Sequence, residues 1–156
     1  MVSIFIVIFV LVKIYKIMTQ EDKELLMKDL CARLPYKLVC EVKFREYGEY
    51  KTSNMFLDGV FNDDAYFFTK KEGSVYSNDY KPYLFPLSSM TEEQKQEYTY
   101  IVNYISPDDT DNWKEGEFIY VEQFIQLMHF YHINHLDYMG LIEKGLAIDA
   151  TGLNIY

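Results

Sequence analysis

The three histidines of the chain lie at a regular spacing near its C-terminal end. They form the pattern His129-x-x-His132-x-x-His135, and Asp137 follows two residues later. On a helix, residues three apart point in neighbouring directions, so adjacent imidazoles can converge whereas the first and third spread apart. Imidazole nitrogens and a carboxylate are ligands for zinc and similar divalent ions. The spacing therefore offers a candidate metal site made of His129, His132 and Asp137.

A structural role explains these histidines better than metal binding does. His132 continues the apolar stripe of its predicted helix, as a hydrogen-bonded core histidine would, and that helix is expected to end before His135. The chain lacks the H-E-x-x-H arrangement in which a glutamate acts as general base. We therefore expect no cofactor and no catalytic residue, and we keep a metal-dependent enzyme that uses the histidine cluster as an alternative function.

Other residues that could do chemistry lack a supporting pattern. Cys31 and Cys40 are too few for a disulfide scaffold, and Cys40 occupies an inward strand position typical of a small buried hydrophobe. The acidic segment 108–117 has no glycine where a calcium-binding EF-hand loop requires one. The sequence contains no nucleophile elbow, phosphate loop or dinucleotide fingerprint. These absences favour a non-catalytic protein.

The predicted helices and strands that position these residues begin after Met18, where the apolar N-terminal segment ends. Residues 1–18 are largely apolar, with Ser3 the only polar residue before Lys13. As a helix this apolar run covers about 18 Å, whereas a membrane span needs around 20 apolar residues. Thr19 is a good helix N-cap. We expect translation to begin at Met18; the alternatives are a short membrane anchor over residues 1–18 and a segment that packs in the core or binds a partner.

Residues 19–156 are expected to form a single globular domain in the cytoplasm. The formal charge is −9 for the whole chain, and leaving out Lys13 and Lys16 makes that of the remainder −11. A surface of this sign repels phosphate backbones, so nucleic acid is not an expected partner. The 15 tyrosines and 11 phenylalanines can serve a core, the faces of a sheet or a contact surface.

The hydrophobic pattern predicts an α+β fold whose first half is one helix and a meander. The helix covers about 21–34 and is stopped by Pro35. Four antiparallel strands follow at about 38–45, 51–61, 66–69 and 75–76, the second bent near Gly59, and they could curl into a small barrel. The first strand is the clearest because its residues alternate. Its inward side chains are Leu38, Cys40, Val42 and Phe44.

The second half is predicted to be helical with an irregular tail. Because Pro82 and Pro86 cannot donate to a central ladder, we expect 81–87 to be an extended strap instead of a central strand, packed by Tyr83, Leu84 and Phe85. The capping box Thr91-Glu92-Glu93-Gln94 begins a second helix. A third helix is expected over 119–133, and glycines break the tail 137–156 into turns. The stripe expected to be buried on the third helix consists of Val121, Phe124, Ile125 and Met128.

Three stretches together carry a resemblance to a known group of proteins. They are 29–36 (DLCARLPY), 81–91 (KPYLFPLSSMT) and 140–148 (GLIEKGLAI). The chain resembles short uncharacterised proteins of gut Bacteroidales genomes and their phages, from Met18 to its C-terminus. Members of that group typically begin at a methionine equivalent to Met18, and they carry basic residues where Phe85 and Met139 stand here. No activity accompanies the group, so the resemblance implies no site residue.

These observations predict a small acidic, non-catalytic binding or regulatory module of bacterial or phage origin. The expected partner is another protein, and a membrane is involved only if residues 1–18 are retained. The favoured interpretation of the aromatic residues is that they merely cover the sheet, and a contact surface is the alternative. The alternative functions are a membrane-tethered cytoplasmic domain and the metal-dependent enzyme. The expected contact surface is the aromatic strap Tyr80, Tyr83 and Phe85 with the nearby Tyr76.

Overall fold

A computed structural model describes residues 18–61, 64–103 and 121–156, and it has the predicted α+β architecture. Within these ranges the helices are α1 (Gln20–Arg33), α2 (Glu92–Asn103) and α3 (Val121–Ile133). The strands are β1 (Val39–Glu46), β2 (Glu49–Phe61), β3 (Asp64–Thr69), β4 (Gly73–Ser77), β5 (Asp79–Leu84) and β6 (Ile148–Asp149). Short 3₁₀ turns cover Leu34–Tyr36 and Leu87–Ser89.

The six strands form one open sheet in the order β4-β3-β2-β1-β5-β6. All neighbours are antiparallel except β5 and β6, which are parallel. The sheet curves enough for Ser77 Oγ in β4 to donate to Lys43 O in β1 (2.5 Å). Among the described strands, no ladder joins β4 to β1 or β5, so the sheet is not closed and the expectation of a small barrel is wrong.

Helix α1 confirms the first predicted helix to within one residue at each end. Thr19 is its N-cap, and its Oγ1 accepts a hydrogen bond from the Asp22 N–H at 3.0 Å. Leu26 and Leu30 point down from the helix onto the inner face of the sheet, where both are fully buried. Pro35 falls in the 3₁₀ turn that follows, where its missing N–H costs no helical hydrogen bond.

The inner face of the sheet carries the main core, and its alternation confirms the β1 prediction. Every second residue of the central strands is buried there because successive side chains in a strand point to opposite faces. Leu141 and Leu146 of the tail pack into the same cluster. The buried strand residues of this face include Cys40, Val42, Met55, Leu57 and Phe67.

Two features of the strands were partly predictable. The register of β2 against β3 shifts between Leu57 and Gly59, which confirms the predicted irregularity near the glycine. The prediction that 81–87 forms no central strand is wrong for its first residues, since β5 pairs with both β1 and β6. Pro82 is tolerated because it ends the ladder with β1 and the ladder with β6 starts one residue later.

Helix α2 begins as predicted, whereas α3 buries a different face. The Thr91 N–H donates to Gln94 Oε1 (2.9 Å) and the Gln94 N–H donates to Thr91 Oγ1 (3.2 Å), the reciprocal bonds of a capping box. On α3 the buried residues are Phe130, Tyr131 and His132, which lie near the C-terminal end of the helix. The predicted buried stripe is wrong for Val121, Phe124 and Ile125, which are exposed, and Met128 is half-buried.

The stripe prediction for α3 is wrong because the side chains that this helix buries lie at its C-terminal end. Phe130 and Tyr131 form a second core cluster with Ile101 of α2 and Leu136 of the tail. Residues 104–120, which carry the acidic segment and the first two residues of the predicted third helix, lie outside the described ranges. Within residues 18–61, 64–103 and 121–156, no helix is long and apolar enough to cross a bilayer.

Candidate functional site

The outer face of the sheet is divided into a covered half and an open half. Over β1 and β5, the C-terminal tail lies on the face and buries Val39 and Tyr83 against Ala150. Over β2, β3 and β4, no described segment lies on the face, and its side chains are exposed. We call the second region the open aromatic face. It consists of Phe56, Tyr66, Phe68 and Tyr76.

The register of the ladders explains why these four rings are neighbours. Phe56 pairs with Phe68 across β2 and β3, and Tyr66 pairs with Tyr76 across β3 and β4. The centroids of the two tyrosine rings are 5.8 Å apart, with the rings tilted by 55°. Each of the four side chains is between 37% and 52% exposed, so part of every ring is accessible to solvent.

The predicted contact surface does not form one exposed area. Tyr76 belongs to the open aromatic face, but Tyr80 is half-buried on the inner side, where its ring lies 5.0 Å from that of Phe67. Tyr83 is only 6% exposed; its hydroxyl donates to Asn54 Oδ1 at 3.1 Å, and burial raises its pKa. Phe85 is half-buried between two core clusters. Three of the four predicted residues therefore serve packing.

A hairpin arm extends the sheet beside the open aromatic face. The last three residue pairs of β1 and β2 have no neighbouring strand among the described residues, because β5 reaches only to Lys43. Tyr47 and Gly48 form its two-residue turn with φ of 48° and 92°, and Tyr47 is 98% exposed. Arg45 Nε donates to Gly48 O (3.2 Å), and its guanidinium lies 5.9 Å from the ring of Tyr50. Glycine or asparagine is the usual choice for such a turn, so an exposed tyrosine here is unusual.

The three histidines differ in burial, and the Tyr36 ring lies between two of them, 5.5 Å from the ring of His129 and 5.4 Å from that of His132. His129 is exposed at the surface of α3, and its Nδ1 lies 3.0 Å from the Tyr36 hydroxyl. His132 is buried, with Nε2 2.9 Å from the Tyr138 hydroxyl, which confirms the predicted hydrogen-bonded core histidine. His135 follows the helix with φ of 51° and stacks on a C-terminal tyrosine ring. Burial, reinforced by the Arg33 charge, lowers the pKa of both His132 and His135 to about 4.

The carboxylate of the candidate metal site is used to hold a turn. Asp137 Oδ1 accepts from the Leu141 N–H and Oδ2 from the Ile142 N–H, both at 2.8 Å. Because both oxygens are engaged, Asp137 closes the tail's first turn in the manner of a helix cap. Across the described ranges, no group of three or more His, Cys, Asp or Glu side chains is arranged to hold a metal ion.

A buried ion pair ties the end of α1 to the corner after α3. Arg33 Nε donates to Asp29 Oδ2 at 2.7 Å, and both side chains are fully buried. The guanidinium also donates to Leu136 O (2.7 Å) and to Tyr131 O (3.4 Å). Desolvation raises the pKa of Asp29 despite its charged partner. The pair fixes the corner from which the tail starts, and this is a structural task.

The two cysteines differ in exposure as their positions in the sequence imply. Cys40 is completely buried in the inner face, and burial raises the pKa of its thiol. Cys31 is exposed on α1, in a shallow apolar groove beside Met27 and Val60.

Comparisons with family models, with curated proteins and with solved structures found no match to this chain. The arguments for function therefore come from the geometry of the molecule itself.

Sequence reasoning missed three of the four residues of the open aromatic face. The signal was present in Tyr66-Phe67-Phe68, because a strand that carries three consecutive rings must place at least one of them outward. Phe56 has a similar signal, since it lies between the inward residues Met55 and Leu57. Phe56 and Phe68 are outward phenylalanines on two paired strands. Such a pair indicates a contact surface more directly than the segment 81–87 does.

Proposed function

We propose that this protein is a non-catalytic binding module that acts in the cytoplasm and contacts another protein through the open aromatic face. The observation that carries the proposal is the exposure of four aromatic rings on three adjacent strands of the sheet. Aromatic residues are enriched where proteins contact each other because each ring buries a large area with little loss of side-chain entropy.

The arrangement of the face fits a protein partner better than other ligands. Its rings lie on the outer face of a curved sheet and line no closed pocket, whereas small molecules generally bind in concave sites. The net charge of −9 opposes nucleic acid, although single-stranded RNA can stack on sheet aromatics. Tyrosine hydroxyls beside phenylalanine rings suit a protein surface that is partly apolar and partly polar.

The rings of the open aromatic face are not needed to form the core, because residues on the inner face of the same strands already form it. The core beneath β2 and β3 is formed by Met55, Leu57 and Phe67, each at most 4% exposed. Phe56 and Phe68 add little to that core, because they point to solvent from the opposite face. Threonine at these outward positions would preserve strand propensity and remove the ring.

Affinity purification with quantitative mass spectrometry tests the proposal. The wild-type protein and the variants Phe56→Thr, Phe68→Thr and Tyr76→Thr would be expressed at native level in the source cell. We expect each variant to keep its circular dichroism spectrum and to recover at least about tenfold less of one specific protein, since interface hot-spot rings contribute about 2 kcal/mol or more.

Tyr100→Ser is the matched control, because Tyr100 is an exposed ring on α2, away from the sheet. It should leave recovery of the partner unchanged. Equal recovery by the wild type and all three threonine variants, with all of them folded, would contradict the proposed contact surface.

A further inference from the structure

The outward side chains of four adjacent strands form one continuous row across the sheet. Phe68, Phe56 and Val39 are successive partners on β3, β2 and β1. Tyr83 of β5 follows in the same register and packs against Val39. The two phenylalanines belong to the open aromatic face, whereas Val39 and Tyr83 are 5% and 6% exposed beneath the tail. The tail therefore covers half of a row whose other half is open.

The tail residues that cover this row have few contacts for their number. We call residues 150–156 the cover segment. Residues 151–154 are exposed, and within the described chain the segment adds Ala150 and Ile155 to the apolar cluster around Val39. Segments with few buried apolar contacts open at a lower free energy than the core of a fold. The cover segment is therefore an element that can open by itself.

Each end of the cover segment has a hydrogen bond to β5. The Ala150 N–H donates to Leu84 O at 2.8 Å, and the Tyr156 hydroxyl donates to Tyr83 O at 2.6 Å. Between these ends, the Leu153 N–H donates to Ala150 O, inside the segment itself. The attachment of the segment to the sheet therefore depends on its two ends.

Tyr156 is held more specifically than the rest of the cover segment. Its ring stacks on His135, with the centroids 3.9 Å apart and the planes 11° apart, and lies 5.9 Å from the ring of Phe85. Its hydroxyl lies where Val39 and Tyr83, the next pair of the β1–β5 register, would otherwise bond to each other. Burial raises the pKa of this hydroxyl, and the nearby Val39 N–H partly offsets the rise. The side chain of Tyr156 is therefore the latch of the segment.

The backbone groups beside the latch have a partner in the open state as well. Leu38 O accepts from β2 and Leu84 O from the cover segment, so Val39 and Tyr83 direct their backbone groups at each other. Once the Tyr156 hydroxyl withdraws, the Val39 N–H can donate directly to Tyr83 O. Opening therefore leaves neither group unpaired.

The closed state also has a cost. His135 Nδ1 is buried and, within the described chain, has no hydrogen-bond partner, while the stacked Tyr156 ring covers one face of that imidazole. A buried polar atom without a partner destabilises the arrangement that buries it. The closed and open states are therefore balanced more closely than the contacts of Tyr156 alone indicate.

We propose that residues 150–156 are an autoinhibitory cover that opens without unfolding of the sheet, with Tyr156 as its latch, and that opening adds Val39 and Tyr83 to the open aromatic face. The effect on a partner rests on the proposed function, whereas the opening itself does not. In the wild type the latch keeps the segment closed, so the partner contacts the open half of the row. Opening offers the whole row, and a partner binds more tightly to the state that offers more contacts.

Thiol labelling with N-ethylmaleimide measures the opening beneath the cover segment. One single-cysteine chain carries Val39→Cys with Cys31→Ser and Cys40→Ala, and a second carries Cys31→Ser alone, so that Cys40 is its thiol. Position 39 lies under the segment and Cys40 on the inner face, so only unfolding of the sheet exposes Cys40. We expect labelling at position 39 to be at least about a hundredfold faster than at Cys40. Urea unfolding of both chains gives the rate that global unfolding alone would produce.

Variants at the latch identify the residue that holds the segment closed. In the Val39→Cys chain, Tyr156→Ala should raise the labelling rate about tenfold or more. Tyr156→Phe keeps the ring and removes the hydroxyl, and should raise it about threefold or more. Leu153→Ala is the matched control, because Leu153 is an exposed residue of the same segment, and it should change the rate less than about twofold. Equal labelling at positions 39 and 40, or no effect of either Tyr156 variant, would overturn the proposal.

Hydrogen exchange followed by NMR on the wild-type chain needs no substitution. The Ala150 N–H and the Leu57 N–H each donate to a backbone oxygen at 2.8 Å, the first attaching the cover segment and the second inside the sheet. We expect the Ala150 amide to exchange at least about a hundredfold faster than that of Leu57. Comparable protection of the two amides would show that the segment opens only when the sheet unfolds, which contradicts the proposal.

Recovery of the partner separates this proposal from the proposed function. In the affinity purification, Tyr156→Ala should recover at least about threefold more of the protein that Phe56→Thr and Phe68→Thr lose. Fast labelling at position 39 with unchanged recovery would overturn the inhibitory role of the segment. If the threonine variants lose no protein, the proposed function fails, and labelling and exchange still decide whether the segment opens.

Discussion

Val39 and Phe56 are directly opposite each other on the outer face of the sheet, yet they have opposite surroundings. Val39 is 5% exposed because the tail packs over it with Ala150, whereas Phe56 is 49% exposed. The boundary between the covered half and the open aromatic face runs between these two strands. Strand alternation decides which face a side chain occupies, and a segment more than ninety residues away decides whether that face is buried.

The tail that covers one half of the outer face starts at the corner held by the buried pair of Arg33 and Asp29. Removing the Arg33 cation should therefore have the largest effect on the free energy of unfolding. Arg33→Met leaves the Asp29 carboxylate buried without a partner, and we expect a loss of about 3–5 kcal/mol in the free energy of unfolding. Urea unfolding followed by circular dichroism measures it. The double variant Asp29→Leu/Arg33→Met should recover much of this loss because no charge remains buried.

The control is the exposed pair between Lys95 and Glu92 on α2, where Lys95→Met should cost less than about 1 kcal/mol. If Arg33→Met were no more destabilising than Lys95→Met, the corner would not hold the tail in place.

Truncating one ring in each half sharpens the comparison directly. Tyr83→Ala empties a buried site and removes the hydrogen bond to Asn54, so we expect it to destabilise the fold by about 3 kcal/mol. Phe56→Ala removes a half-exposed ring and should cost about 1 kcal/mol or less. Thermal and urea unfolding of both variants would measure the difference. Equal losses would mean that the open half is part of the structural core.

Acid should weaken the covered half through its buried histidines. The pKa of His132 and His135 is about 4 in the folded state and about 6.5 when unfolded, so the unfolded chain binds more protons between these values. Stability should therefore be fully present above pH 6.5 and fall by about 1–3 kcal/mol on acidification to pH 4. The raised pKa of Asp29 acts in the opposite direction and offsets part of this fall.

Two variants isolate the histidine contribution to this pH dependence. His132→Gln and His135→Asn should each flatten the dependence of the unfolding free energy on pH between 6.5 and 4, and measurements at pH 7.5 give the baseline cost of each substitution. An unchanged slope in both variants would show that other groups control the acid response.

Local chemistry made much of the fold predictable from the sequence. Thr19 and the Thr91 capping box fixed the starts of two helices, since caps act within one turn of the chain. The alternation around Cys40 identified β1 and its inward face. Gly59 marked the irregularity in β2. Each of these signals lies within a few residues of the structure that it specifies.

The errors arose where distant segments meet. Pro82 argues against a central strand because proline cannot donate a ladder hydrogen bond. A strand can still have two neighbours if one of them pairs only beyond the proline, and β6 pairs with just the last two residues of β5. Val121 and Phe124 have the spacing of a buried stripe, but α3 contacts the molecule through Phe130. No local pattern reveals that the tail covers Tyr83, because Ala150 lies far away in the sequence.

The central claim is that the open aromatic face is where a partner protein binds. A photo-crosslinking amino acid such as p-benzoylphenylalanine, placed at Phe68, Tyr83 or Tyr100 and irradiated in the source cell, tests it most directly. We expect a discrete crosslinked product with another protein from position 68 and none from positions 83 or 100. Absence of a product at 68, with a clear product at 100, would contradict the account.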